Sequence, residues 1–184
     1  VYMQMGLGLS ASYVGGILLP AGLVLAVTIA IVGRLADRQP THRLVSVGLV
    51  LLAASFALMV TIDLSRPGAI IPLLVSWAIL GRIGLGFILP SLNIGAMRGL
   101  PHTHIPQGSS AINFLRMLGG AAGVSLCGIV LEWRISAYGF RLDTASTNPA
   151  RLTAFNETFL MLAAVCALAL VAAWRLREPP VAVS

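Results

Sequence analysis

The sequence has no lysine and few charged residues of any kind. Charged side chains make up 10% of its 184 residues, whereas soluble domains carry about a quarter. Hydrophobic residues make up 58%, and the mean hydropathy is +0.93. All 12 basic residues are arginine, and most of them flank or interrupt apolar stretches. The composition therefore excludes an ordinary soluble domain and indicates membrane topology rather than nucleic-acid binding.

Cysteine and histidine are also scarce, with 2 Cys and 3 His in the chain. Cys127 and Cys166 both lie within apolar runs, where a cysteine behaves as a small hydrophobic residue. No Ser/His/Asp or Cys/His set can be assembled at one membrane depth, which argues against a membrane hydrolase. His102 and His104 are a possible metal pair without further ligands. We therefore expect no enzyme activity and no bound metal.

Five long apolar runs organise the rest of the chain, each near the length that crosses a hydrocarbon core of about 30 Å. Residues 1–9 resemble the end of a helix that is already under way. The sequence predicts an all-α membrane protein, with one transmembrane domain over residues 1–184. This domain contains five transmembrane helices plus the end of a preceding one. The predicted helices are Tyr13 to Val32, Leu44 to Ile62, Ile70 to Met97, Gln107 to Leu131 and Phe155 to Trp174.

Two polar segments set the expected orientation. Residues 33–44 form a tight basic loop after the first helix, and residues 132–157 form the longest polar stretch. Arginine is enriched in cytoplasmic loops. The side with the first loop has more arginines, so we expect that loop and the C-terminus to be cytoplasmic, in a multi-pass protein of the cell membrane. Residues 132–157 are then an extracytoplasmic loop. The two sets are Arg34, Arg38, Arg43, Arg98, Arg175 and Arg177 against Arg66, Arg134, Arg141 and Arg151.

The first loop carries a motif that resembles the cytoplasmic loop signature of the major facilitator superfamily. The motif is Gly33-x-Leu35-Ala36-Asp37-Arg38, followed by basic residues at His42 and Arg43. It departs from the family at Pro40, where glycine is usual, and at His42, where arginine or lysine is usual. Charges between helix ends can hold two bundles together in one conformation and release them in another. The resemblance implies this gating role for Gly33, Leu35, Asp37, Arg38 and Arg43; the alternative is a topology signal only.

Other stretches are similar to the fourteen-helix drug:proton antiporters of that superfamily. They are Tyr2-Met3-Gln4, Leu19-Pro20, the glycine-rich segment 81–86 and the segment 116–123. This resemblance implies the C-terminal part of a transporter that lies in the lipid bilayer and is completed by an N-terminal helix bundle. It implies export of small hydrophobic drugs by alternating access. The proton gradient would supply the energy, without a cofactor.

Polar residues within the predicted spans are candidate substrate or coupling residues. Arg82 and Arg116 lie deep in the third and fourth helices, where a charge costs about 2.5 to 3.5 kcal/mol. Each is therefore expected to face the bundle interior, a wet cavity or the carbonyls of another helix. Asn93 and Asn113 can hydrogen-bond between helices, and Gln4 belongs to one of the similar stretches. For the two arginines the alternative role is a structural pin.

No Asp, Glu or His lies within the predicted spans when residues 132–157 are counted as a loop. A proton-coupled antiporter needs a titratable group in the membrane, so we expect that group in the N-terminal half. Two other interpretations remain open. In the first, the chain is a non-transporting fragment that acts by packing or assembly. In the second, it is a half-transporter that self-assembles.

Overall fold

The computed structural model describes residue 4 and residues 10–36, 38–62, 67–97, 100–139 and 149–175. Within these ranges the chain is helical and no strand occurs. Five helices are long and apolar enough to cross a membrane, which confirms the predicted all-α membrane fold. The helices are α1 (Ala11–Ala36), α2 (Thr41–Met59), α3 (Pro67–Met97), α4 (Ile105–Ala137) and α5 (Pro149–Arg175), and a short 3-10 turn (His102–His104) precedes α4.

The helices are longer than the apolar runs, so both predicted loops become shorter. The segment 33–44 reduces to a connection at residues 37–40, because α1 ends at Ala36 and α2 begins at Thr41. The segment 132–157 reduces to residues 138–148, of which 140–148 lie outside the described residues. Hydropathy marks only the part of a helix that lies in hydrocarbon. A helix satisfies its own backbone hydrogen bonds and therefore continues into polar surroundings.

The central helix is α3, which packs against α2 on one side and against α1 on another, while α5 packs on α2. The glycines of segment 81–86 make these contacts close. A Cβ atom on Gly81 would lie 2.7 Å from Oγ of Ser55 on α2, and one on Gly86 would lie 2.6 Å from Cγ2 of Thr28 on α1. The segment is therefore a helix-packing surface, which follows the general use of small residues between membrane helices.

Helices α1 and α4 are the least covered parts of the bundle. Only 6% of the apolar span is buried in each of them, compared with 28% in α3. Large apolar side chains are exposed along both helices, for example Leu23 and Ile31 on α1 and Phe114 and Val124 on α4. The described bundle therefore leaves two long apolar surfaces for lipid or for further protein.

Candidate functional site

The motif of the first loop forms a tight turn, called here the signature turn (residues 33–43). Gly33 and Leu35 lie in the last turn of α1, and Arg43 lies in the first turn of α2. The backbone N–H groups of Arg38 and Gln39 both donate to the Leu35 carbonyl at 3.0 Å. The predicted gating residue Asp37 lies outside the described residues. The backbone contacts hold the turn in one compact shape.

An apolar cluster supports the signature turn from below. Leu35 packs against buried Val32, Ala36 and Leu44, together with Phe87 and Ile94 of α3. The guanidinium groups at the turn point outward instead, since Arg34, Arg38 and Arg43 are all exposed. This end of the bundle therefore presents a concentrated positive charge on a rigid base, next to α3.

Arg82 and Asn93 are exposed side chains at nearly the same angle around α3, and Gly86, which packs against α1, lies between them along the helix. They are 11 residues apart (93 − 82), which is about three helical turns and about 16 Å along the axis. Both side chains are exposed, whereas Gly81 and Gly84 face α2 and Gly86 faces α1. Arg82 thus lies on the surface of the described five-helix bundle, and its expected environment, a bundle interior, a wet cavity or the carbonyls of another helix, stays a prediction. Helix α3 therefore exposes a charge and an amide on either side of its contact with α1.

Asn113 and Arg116 form a pair on α4. Nη2 of Arg116 donates to Oδ1 of Asn113 at 2.9 Å, and both side chains are exposed. At the following glycines, Gly119, Gly120 and Gly123, an added Cβ atom would meet nothing within 4 Å. The amide orients the guanidinium on a helix whose neighbouring surface is open. Arg116 also lies on the outside of the described bundle, as Arg82 does.

The candidate residues fall into separate groups. The signature turn is at one end, Arg82 and Asn93 share α3, and Asn113 and Arg116 share α4. No hydrogen bond joins the α3 group to the α4 group among the described residues. Gln4 is exposed, and the residues on either side of it lie outside the described ranges. These groups can act together only across the open side of the bundle.

Sequence reasoning missed one polar cluster, which joins α4 to α5 and is called here the α4–α5 clamp (Arg134, Tyr138 and Glu157). Nε and Nη2 of Arg134 both donate to the carboxylate of Glu157. Oη of Tyr138 donates to the same carboxylate at 3.2 Å. The guanidinium carbon lies 5.7 Å from the ring centres of Trp133 and Tyr138. One carboxylate thus receives donors from two consecutive turns of α4.

The clamp residues belong to helices, because α4 continues to Ala137 and α5 begins at Pro149. Residues 132–157 are therefore only in part a loop, and two acids of this segment lie on helices. Glu132 and Glu157 both lie on helices that are apolar enough to cross a membrane. The signal was present in the sequence, because Leu131 and Ile135 continue the helical spacing of four residues beyond the predicted helix end. Arg134 and Tyr138 have the same spacing, which places them on one face of α4.

Five membrane-crossing helices, a basic turn between two of them and a central glycine-rich helix define a multi-pass protein of the lipid bilayer. The chain belongs to the Major Facilitator Superfamily, whose family profile matches residues 1–124. The family expected from the signature turn is therefore confirmed. No solved structure matches the chain significantly.

Several curated relatives are drug-resistance proteins. The chain is 27% identical over 133 residues to "Multidrug transporter protein MdtP" of Bacillus subtilis, covering 72% of this chain and 24% of the relative. It is 30% identical over 183 residues to "Puromycin resistance protein pur8" of Streptomyces alboniger, covering 92% and 36%. It is 25% identical over 155 residues to "Lincomycin resistance protein LmrB" of Listeria monocytogenes, covering 84% and 32%. The chain therefore spans only about a quarter to a third of the length of these relatives.

Proposed function

We propose that this chain is the C-terminal part of a transporter that exports small hydrophobic drugs in exchange for protons. The names of its relatives include a multidrug transporter and two antibiotic-resistance proteins, which supports drugs as the substrate class. Export proceeds by alternating access, in which two helix bundles rock against each other around a site near mid-membrane. The signature turn and the C-terminus face the cytoplasm, in agreement with the arginine distribution.

Two exposed polar side chains of α3 carry this proposal. Arg82 and Asn93 are both exposed in the five-helix bundle, although they lie in a helix long enough to cross a membrane. A charged side chain at such depth does not face lipid at low cost, so it faces a water-filled cavity or more protein. A cavity between two bundles satisfies this requirement. Arg82, Asn93, Asn113, Arg116 and Gln4 are the candidate substrate or coupling residues around it.

An N-terminal helix bundle is the partner that completes the cavity. Membrane helices associate through small residues, which let backbones approach closely. Gly15, Gly16 and Gly22 on α1 have open space around them, as does the glycine segment of α4. The relatives extend far beyond the part that matches this chain. Both open glycine surfaces are therefore the proposed contact sites for helices from the remainder of the protein.

Coupling to protons requires a titratable group in the membrane. Glu157 is bonded by Arg134 and Tyr138, and Glu132, the other acid on the described spans, lies beside the same clamp near the end of α4. We therefore assign the proton carrier to the N-terminal bundle. The signature turn acts as the gate, because its exposed arginines can form ion pairs with a facing bundle in one conformation only.

Ethidium efflux from cells that lack their own drug pumps tests the proposal. The full-length protein should lower ethidium accumulation, and a protonophore should abolish this effect. The 184-residue chain, expressed to the same membrane level, should have no effect because it supplies one incomplete bundle. Absence of efflux by the full-length protein would reject drug export, and protonophore-insensitive efflux would reject proton coupling. Efflux by the chain alone would instead support a self-assembling half-transporter.

A further inference from the structure

The attachment of α4 to the rest of the bundle is uneven along its length. Near its C-terminal end, Leu131 and Ile135 pack against Ala154 and Phe155 of α5. Ile135 is 1% exposed and Ala154 is fully buried, so this contact is tight. The α4–α5 clamp lies next to it. From residue 113 to residue 126, by contrast, every residue of α4 is exposed.

The other end of α4 is held by a different kind of contact. Gly108 lies against the side chains of Leu100 and Met97. These are flexible apolar side chains, and apolar contact has no preferred direction. Such a contact restrains the orientation of a helix less than a pair of hydrogen-bonded charges does. This end restrains the distance of α4 from α3 more than its angle.

The clamp is directional because of its chemistry. A bidentate pair of an arginine with a carboxylate fixes both the separation and the relative plane of the two groups. The rings of Trp133 and Tyr138 lie at the guanidinium as well, where the cation is attracted to their π-systems. The Arg134 and Glu157 side chains are 33% and 30% exposed, so solvent screens the charges, and the geometry of the pair matters more than its energy. The clamp is thus the directional contact of α4 within the described bundle, and residues 113–126 form the surface on which the proposed N-terminal bundle packs.

We propose that the Arg134–Glu157 pair is the pivot on which α4 tilts during transport. This inference rests on the proposed alternating-access function. Helix α4 has 33 residues, which is about 50 Å at 1.5 Å per residue. A tilt of about 5° at the clamp moves the far end by about 4 Å, enough to change the opening beside Arg116. Arg134 and Glu157 are then positioning residues, acting on transport through the angle of α4.

Spin-label distances in the full-length protein test the pivot. Cys127 and Cys166 are first replaced by alanine. One label pair, Ser136 with Leu160, lies beside the clamp, and a second pair, Ser110 with Val171, lies far from it. We expect the near pair to keep its distance with and without saturating ethidium, and the far pair to change by about 3 Å, as follows from the tilt of a rigid helix.

Charge variants then separate a pivot from a merely structural contact. Glu157→Gln should broaden the near-pair distances and lower the maximal ethidium efflux rate per molecule about five-fold, since a partly exposed charge pair is lost. The ethidium concentration for half-maximal rate should stay within about two-fold, because Glu157 is proposed to act through the angle of α4 and not through contact with the substrate. The exchange of both charges, Arg134→Glu with Glu157→Arg, should restore the rate and the distances in large part. Glu132→Gln, an exposed acid at the same end of α4, is the control and should change neither.

Each outcome decides the inference. Unchanged distances and turnover in Glu157→Gln would overturn the pivot, as would a loss of membrane protein with normal turnover per molecule. Equal movement of the near and far label pairs would overturn it as well. If the full-length protein exports no ethidium while the far pair alone moves on ethidium addition, the pivot stands and the proposed export function fails. If the full-length protein exports ethidium while neither label-pair distance changes, the proposed export function stands and the pivot fails.

Discussion

Gly48 of α2 and Gly84 of α3 bring the backbones of their helices into direct contact. A Cβ atom on Gly48 would lie 2.7 Å from the carbonyl oxygen of Gly84, and one on Gly84 would lie 2.8 Å from that of Gly48. Both distances are shorter than a side-chain carbon tolerates. Because the opposing atoms belong to the backbone, they cannot rotate away. The crossing of α2 and α3 therefore depends on glycine at both positions.

Gly84→Ala should separate α2 from α3 and destabilise the protein. Overpacking of a tight contact costs about 1 to 3 kcal/mol, so the thermal midpoint in detergent should fall. Gly128→Ala on α4, outside the glycine segment proposed to contact further helices, is the matched control, since an added Cβ there meets nothing within 4 Å. At that position alanine should be neutral or stabilising, by up to about 1 kcal/mol, from its higher helix propensity. Equal midpoints for the two variants would argue against the close crossing.

Ser55→Ala should weaken the same pair of helices in another way. Oγ of Ser55 donates to the carbonyl of Trp77 on α3 at 2.7 Å. Hydrogen bonds between membrane helices contribute about 0.6 to 2 kcal/mol, so a moderate fall in the thermal midpoint is expected. The control is Thr61→Ala, because Oγ1 of Thr61 donates to the carbonyl of Leu58 in its own chain segment. A larger effect at Thr61 than at Ser55 would contradict the structure.

Labelling of single cysteines should divide the connections between two sides of the membrane. Gln39 follows α1 and Thr103 precedes α4, whereas Thr61 follows α2 and Ser136 lies at the end of α4. Cysteines at 39 and 103 should react from the cytoplasm, and those at 61 and 136 from outside, because five spans alternate in direction. An impermeant maleimide applied to intact cells measures this. Labelling of 39 and 61 from one side would exclude α2 as a span.

Arg82→Lys and Arg82→Leu should distinguish recognition from structural support. If Arg82 orients a substrate or a carboxylate through its planar group, both variants should lose export by about ten-fold or more, since lysine cannot reproduce bidentate bonding. If it only bonds to carbonyls, lysine should restore part of the activity. The measurement is ethidium efflux per molecule inserted in the membrane. Full export by Arg82→Leu would remove any functional role of this residue and leave Arg116 as the stronger candidate.

Asp37→Asn tests the gate at the signature turn. The change removes one charge at nearly constant shape, with a cost of about 0.3 to 1 kcal/mol from helix-dipole and pairing energy. Export should therefore fall a few-fold while the amount of inserted protein stays constant. Insertion depends on apolar length and on arginine, which are unaltered. Export at the parental rate would reduce the signature turn to a topology signal.

The sequence by itself determined the membrane class, the five helices and the family. Apolar runs of span length have few alternatives to transmembrane helices, because an unpaired backbone is too costly in hydrocarbon. The signature motif is local, so its residues could be read directly from the chain. The glycines of segment 81–86 are likewise a local signal, since glycine within a membrane span commonly marks a close approach.

Only the tertiary structure decided which faces meet and which stay open. The partners of Arg134 on α5 and of Gly48 on α3 are distant in sequence, so local pattern could not pair them. Hydropathy placed Arg134 in a loop, and Glu157 where that loop overlaps the predicted fifth helix, because it registers the hydrocarbon depth and not the end of a helix. The exposure of Arg82 and Arg116 likewise depends on where α1, α2 and α5 pack. The sequence identifies a charge within a span only as costly, and the packing of the other helices decides where that charge points.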